Sequence, residues 1–518
     1  MGYRSTAAVA VLFTMTALAG PLADPAHATG CATARPGDLN GDGFSDLVVT
    51  EYGRTRLQGG IHVFYGTATG LSADPAGSAP DDQFLTQDSE GVPDRSENAD
   101  EWGAALATGD FNGDRCADVA IGAPGENETT GAVTVLYGSP TGLITTGAQL
   151  LTQDSPALPD TAEPNDRFGA ALTAGDFDGD GRADLAIGAP GETVGKGFGA
   201  GTVAVLWGAA AGLGAGRTPT ELRPGAGVVG GKAENGDAYG AALAAGDITG
   251  DKRDDLIVGA PGENGSGSIQ VFPDVFTRAG PAYDRSTGGI AGKPAFGDAF
   301  GAAVAAGDFN GDGKADVAAG IPGSNSSRGA VAVLYAGTGG LTGTGAQQWV
   351  QGSGGLTGVP AAGDRFGAVL ATGRMSAGKH ADLAIGIPGD GVIAPGGATV
   401  PNAGAVQVLL GSASGLRSTG SKLLSQDTTG VGGNATTGDR FGSALAVRQI
   451  DGTGPANLIV GSPAEGTTGT TTQRCGAFTV FRETKKGPSG TGSQFWRLGL
   501  TGVQGAPAPG VFLGYTLG

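Results

Sequence analysis

Cysteine and histidine are scarce, with three of each among 518 residues. Three cysteines are too few for a disulfide framework, no C-x-x-C is present, and an oxidising compartment would leave one bridge and one thiol. Basic residues are also few, 31 Lys and Arg against 50 Asp and Glu. The formal charge of −19 argues against nucleic acid and anionic membrane surfaces as partners and favours cations. Beyond the N-terminus there is no helical periodicity and no apolar run long enough to span a membrane, so a soluble mature chain is expected. G-x-S-x-G, H-E-x-x-H, Walker A and haem-attachment motifs are absent, and neither His62 nor His380 has a visible nucleophile or metal partner, so both are expected at the surface. Paired-carboxylate hydrolysis stays open, because the separation of the many carboxylates is invisible in sequence.

What the chain has is glycine: 102 Gly and 28 Pro make a quarter of it, a level that without periodicity implies disorder. Periodicity is present. Short aliphatic runs such as "ADLAIGAP" and "GAVTVLYG", bounded by Gly, Pro, Asn and Asp, read as short strands and tight turns. The first 28 residues read as a secretory signal, with Arg4, an apolar stretch from Ala7 to Leu22, and Ala26-His27-Ala28 as a small-x-small cleavage site. The expected organisation is a signal peptide over residues 1–28 and one repeat domain over 29–518, secreted or extracellular.

The domain aligns on itself as seven units of about 60 to 75 residues. Six open on an aromatic-Gly pair: Trp102-Gly103, Phe168-Gly169, Tyr239-Gly240, Phe300-Gly301, Phe366-Gly367 and Phe441-Gly442. An acidic loop follows, then a strand ending in a Gly-x-Pro corner, a third strand such as "GTVAVLWG", and a turn such as "SPTGL" leading to a fourth strand. Four up-and-down strands per unit predict an all-β fold, a seven-bladed β-propeller of four-stranded antiparallel blades. A linear solenoid needs capping repeats, and none is visible. The first unit starts at "PGDLNGDG" without an aromatic-Gly strand, and the chain finishes on "GVFLGYTLG", such a strand without its loop. The segment Val511 to Leu517 is therefore expected to join the blade begun at Asp38 and close the ring, removing an exposed sheet edge.

"FGAAL" together with "DFNGDGKADVAAGIPG" resembles the FG-GAP repeat family, found in the N-terminal propeller of integrin α subunits and in secreted bacterial proteins, over residues 36–518. The resemblance implies ligand contacts on the loops of one face. It also keeps a hydrolase open, since FG-GAP repeats accompany phospholipase-type catalytic domains. The family's inserted and leg domains are not seen, so integrin heterodimer function is not expected.

In each acidic loop, positions 1, 3 and 5 offer oxygen side chains, position 7 a backbone carbonyl and position 9 another carboxylate, with glycine permitting the tight turn. Hard oxygen donors at this spacing suit Ca²⁺. Unit one offers Asp38, Asn40, Asp42, the Phe44 carbonyl and Asp46; unit two Asp110, Asn112, Asp114, the Cys116 carbonyl and Asp118. Unit three offers Asp176, Asp178, Asp180, the Arg182 carbonyl and Asp184; unit five Asp308, Asn310, Asp312, the Lys314 carbonyl and Asp316. Unit four places Thr249 between Asp247 and Asp251, with the Arg253 carbonyl and Asp255, and is expected to bind more weakly. Units six (Arg374, Ser376, Gly378, Asp382) and seven (Gln449, Asp451, Thr453, Asn457) are expected to hold no ion. Such strings also make Asx-turns without a metal. Recurrence at one phase of the unit favours about five structural Ca²⁺ sites of weak extracellular affinity, about 10⁻⁴ to 10⁻³ M.

Strand parity puts the acidic loops at one end of every blade, the bottom, and the second-to-third and fourth-to-first connections at the other, the top. The top connections are longer, as in residues 88–100, 389–404 and 464–474, and carry the sequons at Asn127, Asn264, Asn325 and Asn434. The same parity puts Cys31 and Cys475 near the top of adjacent blades and Cys116 in a bottom loop, favouring a Cys31–Cys475 bridge. The reading is a monomeric, secreted, calcium-binding propeller that is not an enzyme and binds a protein or glycan through its top loops in an adhesion-like role. The alternatives are a secreted esterase- or phospholipase-like hydrolase using the same face, and a purely structural envelope component.

Overall fold

Strands such as Asp118–Ala123, Asp184–Ala189 and Asp382–Ile387 are buried at every position, as a strand between two neighbouring sheets must be. In the computed structural model of the chain, each is the second strand of a four-stranded antiparallel blade. Described residues are 30–518, except 33–34, 54–56, 74–80, 157, 159, 276–278, 395–396, 467–473 and 509. The signal-peptide reading of residues 1–28 lies outside them, as do parts of the connections at 389–404 and 464–474.

Blade two runs Ala105–Gly109, Asp118–Ala123, Ala132–Tyr137 and Ile144–Leu151, each strand paired with the next in chain order. Blades three to seven repeat this order, with short fourth strands Thr220–Leu222 and Ala282–Tyr283 in blades three and four. Blade one takes its innermost strand, Phe512–Leu517, from the C-terminal segment, antiparallel to Leu47–Tyr52, with Val49 opposite Leu517. That strand also contacts the innermost strands of blades seven and two, so the inner strands form a closed ring. The expected closure is present.

The core is divided among the seven interfaces between blades, one hydrophobic cluster to each. The aromatics of the aromatic-Gly pairs supply much of it; Trp102, Phe168, Phe300, Phe366 and Phe441 are among the largest fully buried side chains. The glycines on both sides of the repeat have one steric reason. A Cβ on Gly122 would stand 2.1 Å from the carbonyl oxygen of Gly169, and one on Gly188 the same distance from that of Gly240. The glycine of each Gly-x-Pro strand thus lies against the aromatic-Gly turn of the following blade, where a side chain would force the blades apart.

The disulfide differs from expectation. Cys31 is bonded to Cys116, and Cys475 is a buried thiol whose Sγ donates to the Ala508 carbonyl at 3.3 Å. Parity fails here because Cys31 precedes the first acidic loop by too few residues to cross the blade. The Cys31 N–H donates to the Asp114 carbonyl at 2.9 Å, which holds it at the bottom over the loop of blade two.

Candidate metal centres and the opposite face

The five acidic loops repeat one hydrogen-bond pattern. The position-1 carboxylate accepts three successive backbone N–H groups: Asp38 from Gly41 (2.6 Å), Asp42 (3.2 Å) and Gly43 (2.9 Å). Asp110, Asp176, Asp247 and Asp308 do the same at the equivalent residues. At position 3, Asn40, Asn112, Asp178 and Asn310 accept from the position-5 N–H. At position 5, Asp42, Asp114, Asp180, Asp251 and Asp312 accept from the N–H of Phe44, Cys116, Arg182, Arg253 and Lys314. Position 2 is an anchor that the oxygen count missed: Leu39, Phe111, Phe177, Ile248, Phe309, Met375 and Ile450 are all buried in the blade interfaces. An apolar residue between two polar ones in all seven units was the available signal.

Position 9 has a second job. Asp46 accepts the Leu39 N–H at 2.8 Å with one oxygen and, with the other, the Gly66 N–H near the end of the third strand, Ile61–Thr67, at 2.9 Å. Asp118, Asp184 and Asp316 make the same two bonds. Asp382 keeps the second of them, to Gly411 at 2.9 Å, in a unit whose other positions lost their acids. This carboxylate therefore pins the loop to its blade whether or not a cation is held. Burial pushes the Asp184, Asp255 and Asp316 carboxyls up to about 7, against the pull of their backbone donors, and Asp46 and Asp118 well above the ordinary value.

The donor set fits a hard cation. In blade three, oxygens of Asp176, Asp178 and Asp184 lie within 4.8 Å of one another. In blade four, Asp255 Oδ1 and Thr249 Oγ1 are buried with no hydrogen-bond partner. Uncompensated buried oxygens are costly, and a cation between them would remove that cost. Blade seven has reversed its chemistry: Asn457 donates to the Phe481 carbonyl (3.3 Å) and to Glu483 (2.8 Å), so its amide spends its donors where the sibling carboxylates accept.

The loops are joined into an annulus. The position-1 carbonyl of each accepts the position-8 N–H of the following loop: Asp38 from Ala117 (2.8 Å), Asp110 from Ala183 (2.9 Å), Asp176 from Asp254 (2.9 Å) and Asp247 from Ala315 (2.7 Å). Asp308 from Ala381 (2.8 Å), Arg374 from Ala456 (2.7 Å) and Gln449 from Ser45 (3.2 Å) complete the circle.

The top face carries acids that spacing did not reveal. The Asp two residues before each aromatic-Gly pair (Asp100, Asp166, Asp237, Asp298, Asp364, Asp439) is buried and accepts the N–H three residues earlier. After the Gly-x-Pro corner, Glu126 and Glu192 come within 4.8 Å of Asp100 and Asp166 and accept from Gln87 (2.9 Å) and Gln153 (2.7 Å). Burial first, then neighbouring acids, raises Glu126 to about 7 and Glu192 to about 8. Blade five replaces this Glu with Ser324, and Arg285 pairs with Asp298 instead at 2.9 Å.

His62 is not at the surface, contrary to expectation. It is fully buried in the third strand of blade one, its Nε2 2.8 Å from Glu51 and its Nδ1 3.9 Å from Asp82. Burial opposes its charge, but Asp82 and Glu51 outweigh burial and raise its pKa. Asp82 in turn accepts the Gln504 N–H at 2.8 Å, which ties this cluster to the closing segment. His380 is half-buried in the loop of blade six. All four sequon asparagines are exposed.

The FG-GAP repeat family matches residues 32–64, 102–136, 168–206, 239–272 and 300–334, which are blades one to five, the blades with acidic loops. A rat phosphatidylinositol-glycan-specific phospholipase D is 35% identical over 164 residues, covering 30% of this chain and 17% of the relative. Human integrin alpha-D is 43% identical over 108 residues (19% and 9%), and Drosophila melanogaster integrin alpha-PS2 33% over 218 residues (40% and 14%). The aligned segments thus span less than a fifth of these relatives. No helix among the described residues is long and apolar enough to cross a membrane. Blades one to five of this closed seven-bladed ring are thus five FG-GAP repeats in phase with their acidic loops, similar to the propeller regions of integrin α subunits.

Proposed function

We propose that the chain is an extracellular, calcium-stabilised binding module that holds a protein or glycan ligand on its top face. One observation carries the choice of face. Among the described residues the large apolar side chains left exposed are Leu57, Phe198, Phe296, Val359, Ile393 and Tyr515. Five lie in top connections and Tyr515 lines the mouth of the central channel on that side. Phe296 is 96% and Phe198 72% exposed, on a chain whose other described phenylalanines are buried or half-buried, and exposure concentrated on one face is the mark of a binding surface. The metal supplies rigidity: Asp and Asn oxygens of loops one to five would hold Ca²⁺, which stabilises the fold by linkage.

The similarity to a phospholipase D favours a second reading, a hydrolase or a module that serves one. The two part on turnover. A glycan and surface-protein array with and without EGTA is expected to give calcium-dependent capture, with no hydrolysis of ester, phosphodiester or glycoside substrates. Calcium-dependent turnover of any of these replaces the binding reading with the hydrolase.

A further inference from the structure

On the top face the central channel opens into a cavity of about 560 Å³, walled by the start of the innermost strands of blades six and seven, by Tyr515–Leu517 of the closing strand and by Ala104 ahead of the innermost strand of blade two. Its size is that of a small-ligand site. In a chain with 50 acidic and 31 basic residues, no Asp or Glu lines it. Arg365 and Arg440 do, together with the polar groups of Asn402, Ser443, Tyr515 and Thr516.

These arginines occupy one structural position, the residue before the aromatic-Gly pair, in adjacent blades. The backbone there is left-handed in six blades, with φ of 58° at Glu101, 58° at Arg167, 54° at Ala238, 58° at Ala299, 61° at Arg365 and 58° at Arg440. A non-glycine residue in that region is strained, and surrounding packing must hold it in place. In blades two and three the side chains neutralise each other, Arg167 to Glu101 at 3.2 Å. Arg365 and Arg440 are exposed and make no ion pair among the described residues. Tyr515 lines the same cavity, 41% exposed, its ring stacked on that of Tyr52 with centroids 4.1 Å apart.

Resting on the reading that the top face binds, we propose that this cavity takes a carboxylated saccharide of one to three sugar units. The two guanidinium forks would meet the carboxylate. The hydroxyl and amide groups match sugar hydroxyls, and the exposed Tyr515 ring would meet a sugar ring. Planar donors suit a planar carboxylate, and a guanidinium is less strongly hydrated than an ammonium, so pairing costs little desolvation. An acidic peptide is the less favoured ligand, because its carboxylates would engage the two arginines but leave the hydroxyls of Ser443, Tyr515 and Thr516 without the hydroxyl partners a sugar supplies.

The test is calorimetry on the full mature chain in calcium, titrated with trigalacturonate, galactotriose, triglutamate and inorganic phosphate. Trigalacturonate is expected to bind at one site per chain, galactotriose at least tenfold more weakly, and R365A/R440A to lose at least tenfold in affinity. Ala238 and Ala299 already occupy this backbone position, so the double variant is expected to keep the wild-type melting temperature. R440E, which copies the glutamate that blade two carries at Glu101, is expected to abolish binding. Absence of trigalacturonate binding, equal binding by the double variant, or preference for triglutamate or phosphate overturns the proposal. A ligand captured on the array regardless of R365A/R440A leaves the binding reading standing and removes this site from it.

Discussion

A single residue type, the position-9 aspartate, separates metal binding from fold maintenance. Asp316 accepts the Phe309 and Ala336 N–H groups from a fully buried position, while Asp312 sits exposed at position 5. Asp316→Ala leaves two buried donors without partners, at a cost of about 2–4 kcal/mol, and is expected to lower the melting temperature in calcium and in EGTA alike. Asp312→Ala is expected to lower it in calcium only. Equal melting of Asp316→Ala and wild type in EGTA would remove the pinning role. The top-face glutamates make a prediction of opposite character. Glu126 is raised to about 7 and Glu192 to about 8, each by burial first, from an ordinary value of 4.5. The folded chain therefore binds more protons than the unfolded one between about pH 4.5 and 8, and these residues lose stability as pH rises through that window. In EGTA the chain is expected to melt several degrees higher at pH 5.5 than at pH 8, and Glu192→Gln, which keeps shape without ionising, to shrink the difference. A melting temperature that is flat or rises with pH would contradict this.

At the scale of the loop, differences between siblings are expected to set how tightly each would hold a cation. Thr249 does not accept the position-5 N–H, as Asn40, Asn112 and Asn310 do, and its Oγ1 is buried without a partner. Calcium calorimetry is expected to resolve four like sites and one weaker site, and Thr249→Asn to bring the fifth to the affinity of the others. A stoichiometry unchanged by removing the blade-four acids would place no ion there. The loops, the aromatic-Gly pairs and the closing strand were legible in sequence because each is a local pattern repeated in phase. The Cys31–Cys116 bridge, the burial of His62 and the pairing of Asp100 with Glu126 were not. Each depends on which loops meet across a blade or between blades, and strand parity counts strands without seeing that Cys31 turns back over the neighbouring loop. The lone Arg285, opposite Asp298 where other blades have a second acid, shows that the top-face acids form a set only when blades are superposed.

For the whole molecule, stability is shared by seven equivalent interfaces, so closure matters more than any one of them. The strand Phe512–Leu517 buries Leu513 between blades seven and one, and its Thr516 hydroxyl donates to the Ala104 carbonyl of blade two at 3.1 Å. Removing residues 511–518 exposes the edge of Leu47–Tyr52 and one face of blade seven together. Loss of a single cooperative melt is expected; a truncated chain that melts like the full one would mean that the closing strand is dispensable. The bottom annulus adds a directional property. The five acidic loops are consecutive, so cations held there would brace one unbroken arc and leave loops six and seven as a seam without them. Hydrogen exchange in calcium should therefore be fastest, among the seven linking amides, at Ala381, Ala456 and Ser45, and chelation should erase the contrast by loosening the arc to match the seam.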